Sequence, residues 1–246
     1  MIRKSLPRRS IARPVRSFLT AITCLSAPVP SAMAARPLIT DDARIVDAKS
    51  CQLESWMQFQ TTGNELWALP GCNPTGNLEL TLGGSLQRFN GASDLANVQF
   101  QAKTLLKPLE TNRYGAAIAI GAVHHPTAEQ RKVLGNLYVN VPLSLSFADD
   151  RFVTHLNVGA SRDTERHLTR MTWGLGTETQ LHPRVFLVAE TFGQHHGRPS
   201  YQAGLRFWIV RDRVQLDTTY GNVFGRRTGE RFITIGLRLL SPAFLP

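Results

Sequence analysis

From Leu137 to Phe147 the chain alternates without a break. Leu137, Val139, Val141, Leu143, Leu145 and Phe147 fall on one side, and Tyr138, Asn140, Pro142, Ser144 and Ser146 on the other. Successive side chains of a β-strand point to opposite faces, so this stretch predicts a strand with one apolar and one polar face. The same pattern recurs after residue 50. Leu53, Met57 and Phe59 oppose Gln52, Glu54, Trp56 and Gln58; Ile233, Ile235, Leu237 and Leu239 oppose Thr234, Gly236 and Arg238. Comparable segments lie near 78–82, 98–103, 171–178, 201–209 and 214–220, with poorer contrast near 65–71, 114–123, 151–160 and 184–192. Twelve strands are predicted, or ten if 65–71 and 184–192 are not strands. No convincing helical period accompanies them, nor about 18 consecutive apolar residues of the kind a membrane helix needs.

The connections add a second regularity. Counted from the first strand, the odd ones ("TTGNE", "RFNGASD", "HHPTAEQRKVLG", "SRDTERHLTR", "GQHHGRP", "NVFGRRTGE") are generally longer than the even ones ("CNPTG", "KPLETNR", "ADD", "HPR", "VRDR"). Long and short connections alternating on an even number of antiparallel strands predict an all-β fold, an antiparallel transmembrane β-barrel with its short turns in the periplasm. The polar faces mix Gln, Asn, Thr and Gly with few charges and include Trp56, Tyr138 and Trp208. A solvated surface carries more Lys and Glu. The apolar faces are therefore assigned to lipid and the polar faces to the lumen; a soluble sandwich would need fewer, less evenly spaced strands.

The first 34 residues have another character. Six basic residues and no acid precede a short apolar run that ends in Ala32-Met33-Ala34. This order predicts a secretory signal peptide over 1–34, cleaved before Ala35. Residues 35–50 are assigned to a periplasmic N-terminal segment, a polar tail able to enter the lumen, and 51–246 to the barrel. The whole chain carries a net charge of +10, which falls to +4 without the leader. The basic balance is thus mostly a targeting feature, and nucleic acid is not an expected partner. Cys51 and Cys72 remain as an even pair in an exported chain, so they predict a disulfide across the first hairpin.

With apolar faces outward, Glu54, Glu79, Lys103, His155, Glu178, Glu190, Arg206, Asp217 and Arg238 point into the lumen. Such charges set ion selectivity where water fills the tube, and Glu178 and Glu190 would then favour cations. Alternatively they pair across the interior and plug it. His124, His125, His167, His195 and His196 fall in the predicted external loops, but their spacing matches no metal-ligand pattern, so no metal or other cofactor is assigned. "HHGRPSY" holds the ingredients of a hydrolase, yet nothing sets Ser200 against a base. Basic loop residues, including Arg88, Arg162, Arg166, Arg170 and Arg198, suit the phosphates of lipopolysaccharide.

The stretches "ARPLITDDARIVDAKSCQLESW", "WALPGCNPTGNLELTLGG", "QAKTLLKPLETN", "MTWGLGTE", "AETFGQ" and "IGLRLLSPAFLP" resemble proteobacterial (Gram-negative) outer-membrane β-barrel proteins of largely unknown role, similar to the MetA-pathway of phenol degradation transporter-like group. The resemblance implies a cell outer-membrane barrel passing small, even aromatic, organic molecules, and it carries over no catalytic or ligand residues. The end "SPAFLP" departs from the aromatic terminus common in outer-membrane proteins, leaving the stretch ending at Leu239–Leu240 to close the barrel and address the assembly machinery. The expected function is a passive, non-enzymatic channel or uptake pore for small organic solutes. The alternatives are a closed barrel whose basic loops bind lipopolysaccharide or a partner, and an outer-leaflet lipid hydrolase.

Overall fold

The computed structural model describes residues 38–61, 63–89, 92–126, 135–225 and 230–246, with Phe89 and Ala92 described only in their backbone. The expected signal peptide lies outside these residues. Twelve strands follow one another: β1 (Cys51–Gln60), β2 (Gly63–Cys72), β3 (Glu79–Phe89), β4 (Ala92–Lys107), β5 (Tyr114–His124), β6 (Asn136–Phe147), β7 (Phe152–Asp163), β8 (Leu168–His182), β9 (Val185–Gln194), β10 (Ser200–Val210), β11 (Val214–Val223) and β12 (Phe232–Leu240). Each pairs antiparallel with the next, and β12 pairs with β1 from Gln52↔Leu240 to Gln60↔Phe232, closing the barrel. In lipid no backbone N–H or C=O can be left on an open edge, and closure removes both edges. Both weak segments are strands, so the count is twelve rather than ten.

The alternation sorts the side chains as expected for a membrane barrel. Leu82, Ile120, Val158, Ile209 and Ile233 lie on the outer surface, each at least half exposed, while most buried side chains are polar or charged. The apolar residues that a water-soluble protein would enclose therefore form an outward belt. No helix among the described residues is long and apolar enough to cross a membrane.

Two expectations about the connections are corrected. The first and third hairpin connections are short, with Gln60 followed by Gly63 and Phe89 by Ala92. Arg88 consequently lies in a strand rather than a loop, and so do His124, Arg162 and Arg170, because β5, β7 and β8 extend further than the alternation predicted. Strands β4 and β8 run for 16 and 15 residues. Both exceed the length a bilayer needs, about 9–11 residues, so they continue beyond it, where outward residues turn polar and the alternation fades. Three of four irregularities of register, at Leu105/Lys107, Gln180/His182 and Trp208/Val210, sit where strands enter the even-numbered turns. Bulges concentrate at barrel rims.

At that rim the first hairpin is fastened by the disulfide Cys51–Cys72, with Cα atoms 4.0 Å apart and a sequence separation of 21. The C-terminal tail folds back beside it: Ser241 donates its backbone N–H to the Cys51 carbonyl, and Phe244 donates to Lys49. Closing a loop of this length stabilises by about 3 kcal/mol in the chain-entropy account. The double substitution Cys51→Ser/Cys72→Ser is expected to lower the urea midpoint of the purified barrel accordingly while leaving it assembled. An unchanged midpoint would show that the β1–β2 ladder alone holds the hairpin.

Candidate functional site

The site is the lumen, and its first occupant is the chain itself. Residues 38–46, part of the 35–50 segment read from sequence as a periplasmic tail able to enter the lumen, run inside the barrel before β1 begins. Leu38, Thr40, Asp42, Ala43, Arg44, Ile45 and Val46 are all buried. The segment has no helix or strand of its own, so its backbone groups need partners from the wall. Glu190 on β9 accepts two successive N–H groups, Ile39 at 2.9 Å and Thr40 at 2.7 Å. Asn157 on β7 accepts the Asp41 N–H at 2.8 Å and donates to the Asp41 carbonyl at 2.7 Å. Ser144 on β6 accepts from Ala43 at 2.8 Å and Glu79 on β3 from Val46 at 2.8 Å. Asn73, in the turn after β2, donates to the Val46 carbonyl at 2.7 Å.

Charge and shape complete the seat. Lys103 on β4 places its ammonium 2.9 Å from Asp41 and 3.4 Å from Asp42. On β8 the wall is thinned by two glycines. A Cβ on Gly174 would stand 2.6 Å from the Thr40 hydroxyl, and one on Gly176 would stand 3.3 Å from the Thr40 Cβ. Any larger residue at Gly174 would intrude on the segment.

All nine predicted lumen residues are buried inside the barrel; seven of them fall into two tied groups, and Lys103 and Glu190 are bonded to the segment itself. Arg206 on β10 lies between Glu178 at 2.6 Å and Asp217 at 2.9 Å, with Gln215 also donating to Asp217. His155 continues this chain, its Nε2 3.4 Å from Glu178 and its Nδ1 2.8 Å from the Ser144 hydroxyl. In the second group, Arg238 on β12 bonds the Gln52 side-chain carbonyl and stands 3.7 Å from Glu54, while Gln52 donates to Glu79. Glu190 is held from behind by Gln202, which in turn accepts from Thr219.

Ser144, His155 and Glu178 have the connectivity of a nucleophile, a base and an acid. Ser144 and His155 are fully enclosed, however, and the serine oxygen accepts the Ala43 N–H where a substrate carbonyl would have to approach. They act here as structural links. Ser200, the serine of "HHGRPSY", offers its carbonyl to Thr191 at the start of β10. The rings of His195 and His196 lie 4.0 Å apart, tilted by 45°, and among the described residues no group of three or more His, Cys, Asp or Glu is placed to hold a metal.

The segment divides the remaining space. Two cavities open toward the end of the barrel bearing the odd-numbered connections, and Ile39 lines both. One of about 400 Å³ is walled by Trp56, Gln58, Phe192, Gln202 and Phe232, the other of about 260 Å³ by Gln99, Gln101, Tyr138, Asn140 and Trp173. A third, of about 370 Å³, lies at the opposite end against Val46, Asp47, Trp208, Asp212 and Pro242. There burial raises the Asp212 pKa above the ordinary carboxylate value; Asp47 adds to this, and Arg211 and Arg213 oppose it. Between the ends, among Asp42, Arg44, Glu79, Lys103 and Arg238, the void is about 20 Å³, room for a single water.

Asn157, Ser144, Gln52, Gln202 and Asn73 were not singled out from sequence. All but Asn73 occupy inward positions of the alternation, which was the available signal.

A family model described as "Uncharacterised conserved protein UCP029691" matches residues 21–240, and the chain belongs to that family. No curated protein matches it. Among solved structures the fold is similar to the KdgM porin (TM-score 0.59, 8% identity, 76% of this chain and 98% of that one). It is also similar to the NanC porin (0.54, 6%, 78% and 98%) and to the COG4313 outer membrane channel from Pseudomonas putida F1 (0.53, 10%, 81% and 98%). At such identities the likeness is one of fold, that of outer-membrane channels.

Truncating Arg206 would leave Glu178 and Asp217 buried without their counter-charge, a loss of about 3–5 kcal/mol. Arg206→Ala is therefore expected to lower the temperature at which the folded, fast-migrating band converts to the unfolded one on electrophoresis. An unchanged conversion temperature would show that the ion pairs are not what holds this side of the lumen.

Proposed function

We propose that this member of the UCP029691 family is an outer-membrane channel for small organic solutes, held shut by its own residues 38–46. The observation that carries the reading is the division of the lumen. Ile39 reaches both cavities at one end, Val46 reaches the cavity at the other, and among the described residues the void between them, beside Asp42, Lys103 and Arg238, measures about 20 Å³. Withdrawing one segment would join the ends, and no strand would have to move.

The wall left by that withdrawal carries Glu54, Glu79, Glu178, Glu190 and Asp217 against Lys103, Arg206, Arg238 and His155. Acids exceed bases, so the opened lumen favours cations and neutral solutes. The amide and aromatic linings of the two outer cavities suit uncharged rings and polar groups, in keeping with the resemblance to the MetA-pathway transporter-like group. Membrane lipid and lipopolysaccharide surround the belt on this reading, and β12 is the strand offered to the assembly machinery.

The filled middle of the barrel also supports a second reading, a permanently closed barrel with a structural or surface role. One variant separates the two. The ideal Cβ position of Gly174 lies 3.4 Å from the Thr40 Cβ, close to the separation of about 3.5–4.5 Å in disulfides. Thr40→Cys/Gly174→Cys, made on the Cys51→Ser/Cys72→Ser background, would pin the segment to β8. Single-channel recording in a planar bilayer is expected to find the oxidised protein silent and the reduced protein conducting in discrete steps. An oxidised, fully cross-linked protein that conducts as the reduced one does would contradict gating by this segment. Silence in both states would favour the closed barrel.

A further inference from the structure

The seat of residues 38–46 is built to read a main chain. Five of the segment's backbone N–H groups, those of Ile39, Thr40, Asp41, Ala43 and Val46, donate to wall side chains. Two of its backbone carbonyls, of Asp41 and Val46, accept from Asn157 and Asn73. Asp41 and Val46 thus each have both backbone groups engaged, as a residue has in a β-ladder. These groups belong to every peptide, whatever its sequence. Lys103 adds ion pairs to the segment's Asp41 and Asp42.

The reading groups are also fixed independently of what they read. Gln202 donates to Glu190, Gln52 donates to Glu79, Asn140 donates to the Asn157 amide oxygen at 2.8 Å, and His155 is hydrogen-bonded to Ser144. Each partner lies on the barrel wall, so the acceptors keep their positions when the segment leaves. Preorganised groups of this kind bind without the cost of being ordered first.

We propose that the lumen wall is a binding site for the main chain of a short, extended peptide, that residues 38–46 occupy it as an internal stand-in, and that oligopeptides are the solutes taken by the opened channel. The solute assignment rests on the channel reading above; the binding site does not.

The test uses the full chain with the seat vacated from the segment's side. Asp41→Lys/Asp42→Lys replaces two attractions to Lys103 by two repulsions and leaves every reading group intact. Thr40→Pro/Ala43→Pro, which removes two of the segment's own donors and leaves the wall untouched, is the second variant should the first fail to give a folded, heat-modifiable band. Three peptides are added to the vacated protein in detergent, and binding is followed by calorimetry. They are the sequence of residues 38–46 with blocked ends, the same sequence N-methylated at the residues corresponding to Thr40, Ala43 and Val46, and an unrelated sequence of equal length. The first and third are expected to bind within about tenfold of each other, because the shared main chain is what is read. The N-methylated peptide is expected to bind at least about tenfold more weakly, since it retains its side chains but lacks three donors. Equal binding of the N-methylated peptide, binding of the native sequence alone, or no binding to a folded, vacated barrel would overturn the proposal. Conductance is recorded in parallel. A vacated barrel that conducts but binds no peptide contradicts this inference alone, and one that binds peptide but never conducts contradicts the channel.

Discussion

A charge enclosed in a narrow tube must find a partner, and the interior of this protein follows from that constraint. Turning the apolar faces outward leaves Glu, Asp, Lys, Arg and His projecting into one shared space that is too small for each to keep its own water. Arg206 answers two carboxylates at once, Lys103 answers two more, and Arg238 is met by Gln52 and Glu54. Side-chain amides fill the gaps between them. The barrel wall sets the register that brings these groups together, and their pairing in turn leaves the wall an ordered inner surface.

The segment 38–46 belongs to the same balance. It brings Asp41 and Asp42 to Lys103, which also faces Glu79 across the β3–β4 ladder, and it brings Arg44, whose charge acts on Asp42 and Glu178. Its backbone, irregular and largely enclosed, is accepted because Glu190, Asn157, Ser144 and Glu79 supply what a helix or sheet would have supplied. Irregular backbone at membrane depth is tolerated where protein surrounds it. The glycines of β8 make the room. The plug is held by hydrogen bonds to its main chain, by Lys103 and by the burial of Leu38, Ala43, Ile45 and Val46, and its departure breaks these contacts without separating any two strands.

The barrel was legible because a membrane strand has a period of two and this chain keeps it. Glu54, Lys103, Arg206 and Asp217 could be assigned to the lumen from parity alone. The weak contrast of β7 and β9 has a physical cause. Their inward faces carry Val153, Phe186 and Val188 in the buried interior, so both sides of those strands read as apolar. Pairings such as Arg206 with Glu178, 28 residues away, depend on how neighbouring strands are staggered, which no local pattern encodes. The plug was the least legible part. "LITDDARIV" has no period, and its partners are side chains up to 151 residues distant. What marked it was only a short polar stretch ahead of the first strand. The short connections after β1 and β3 were missed because the ladder continues into polar residues beyond the lipid.

The central claim is that residues 38–46 lie hydrogen-bonded inside the closed barrel. Backbone hydrogen–deuterium exchange of the intact protein in lipid tests it most directly, read at the amides of Ile39, Thr40, Asp41, Ala43 and Val46. The account predicts that these five exchange slowly, on the timescale of the strand amides around them, although they belong to no strand. Exchange as fast as that of an unstructured peptide would place the segment outside the lumen and contradict the account.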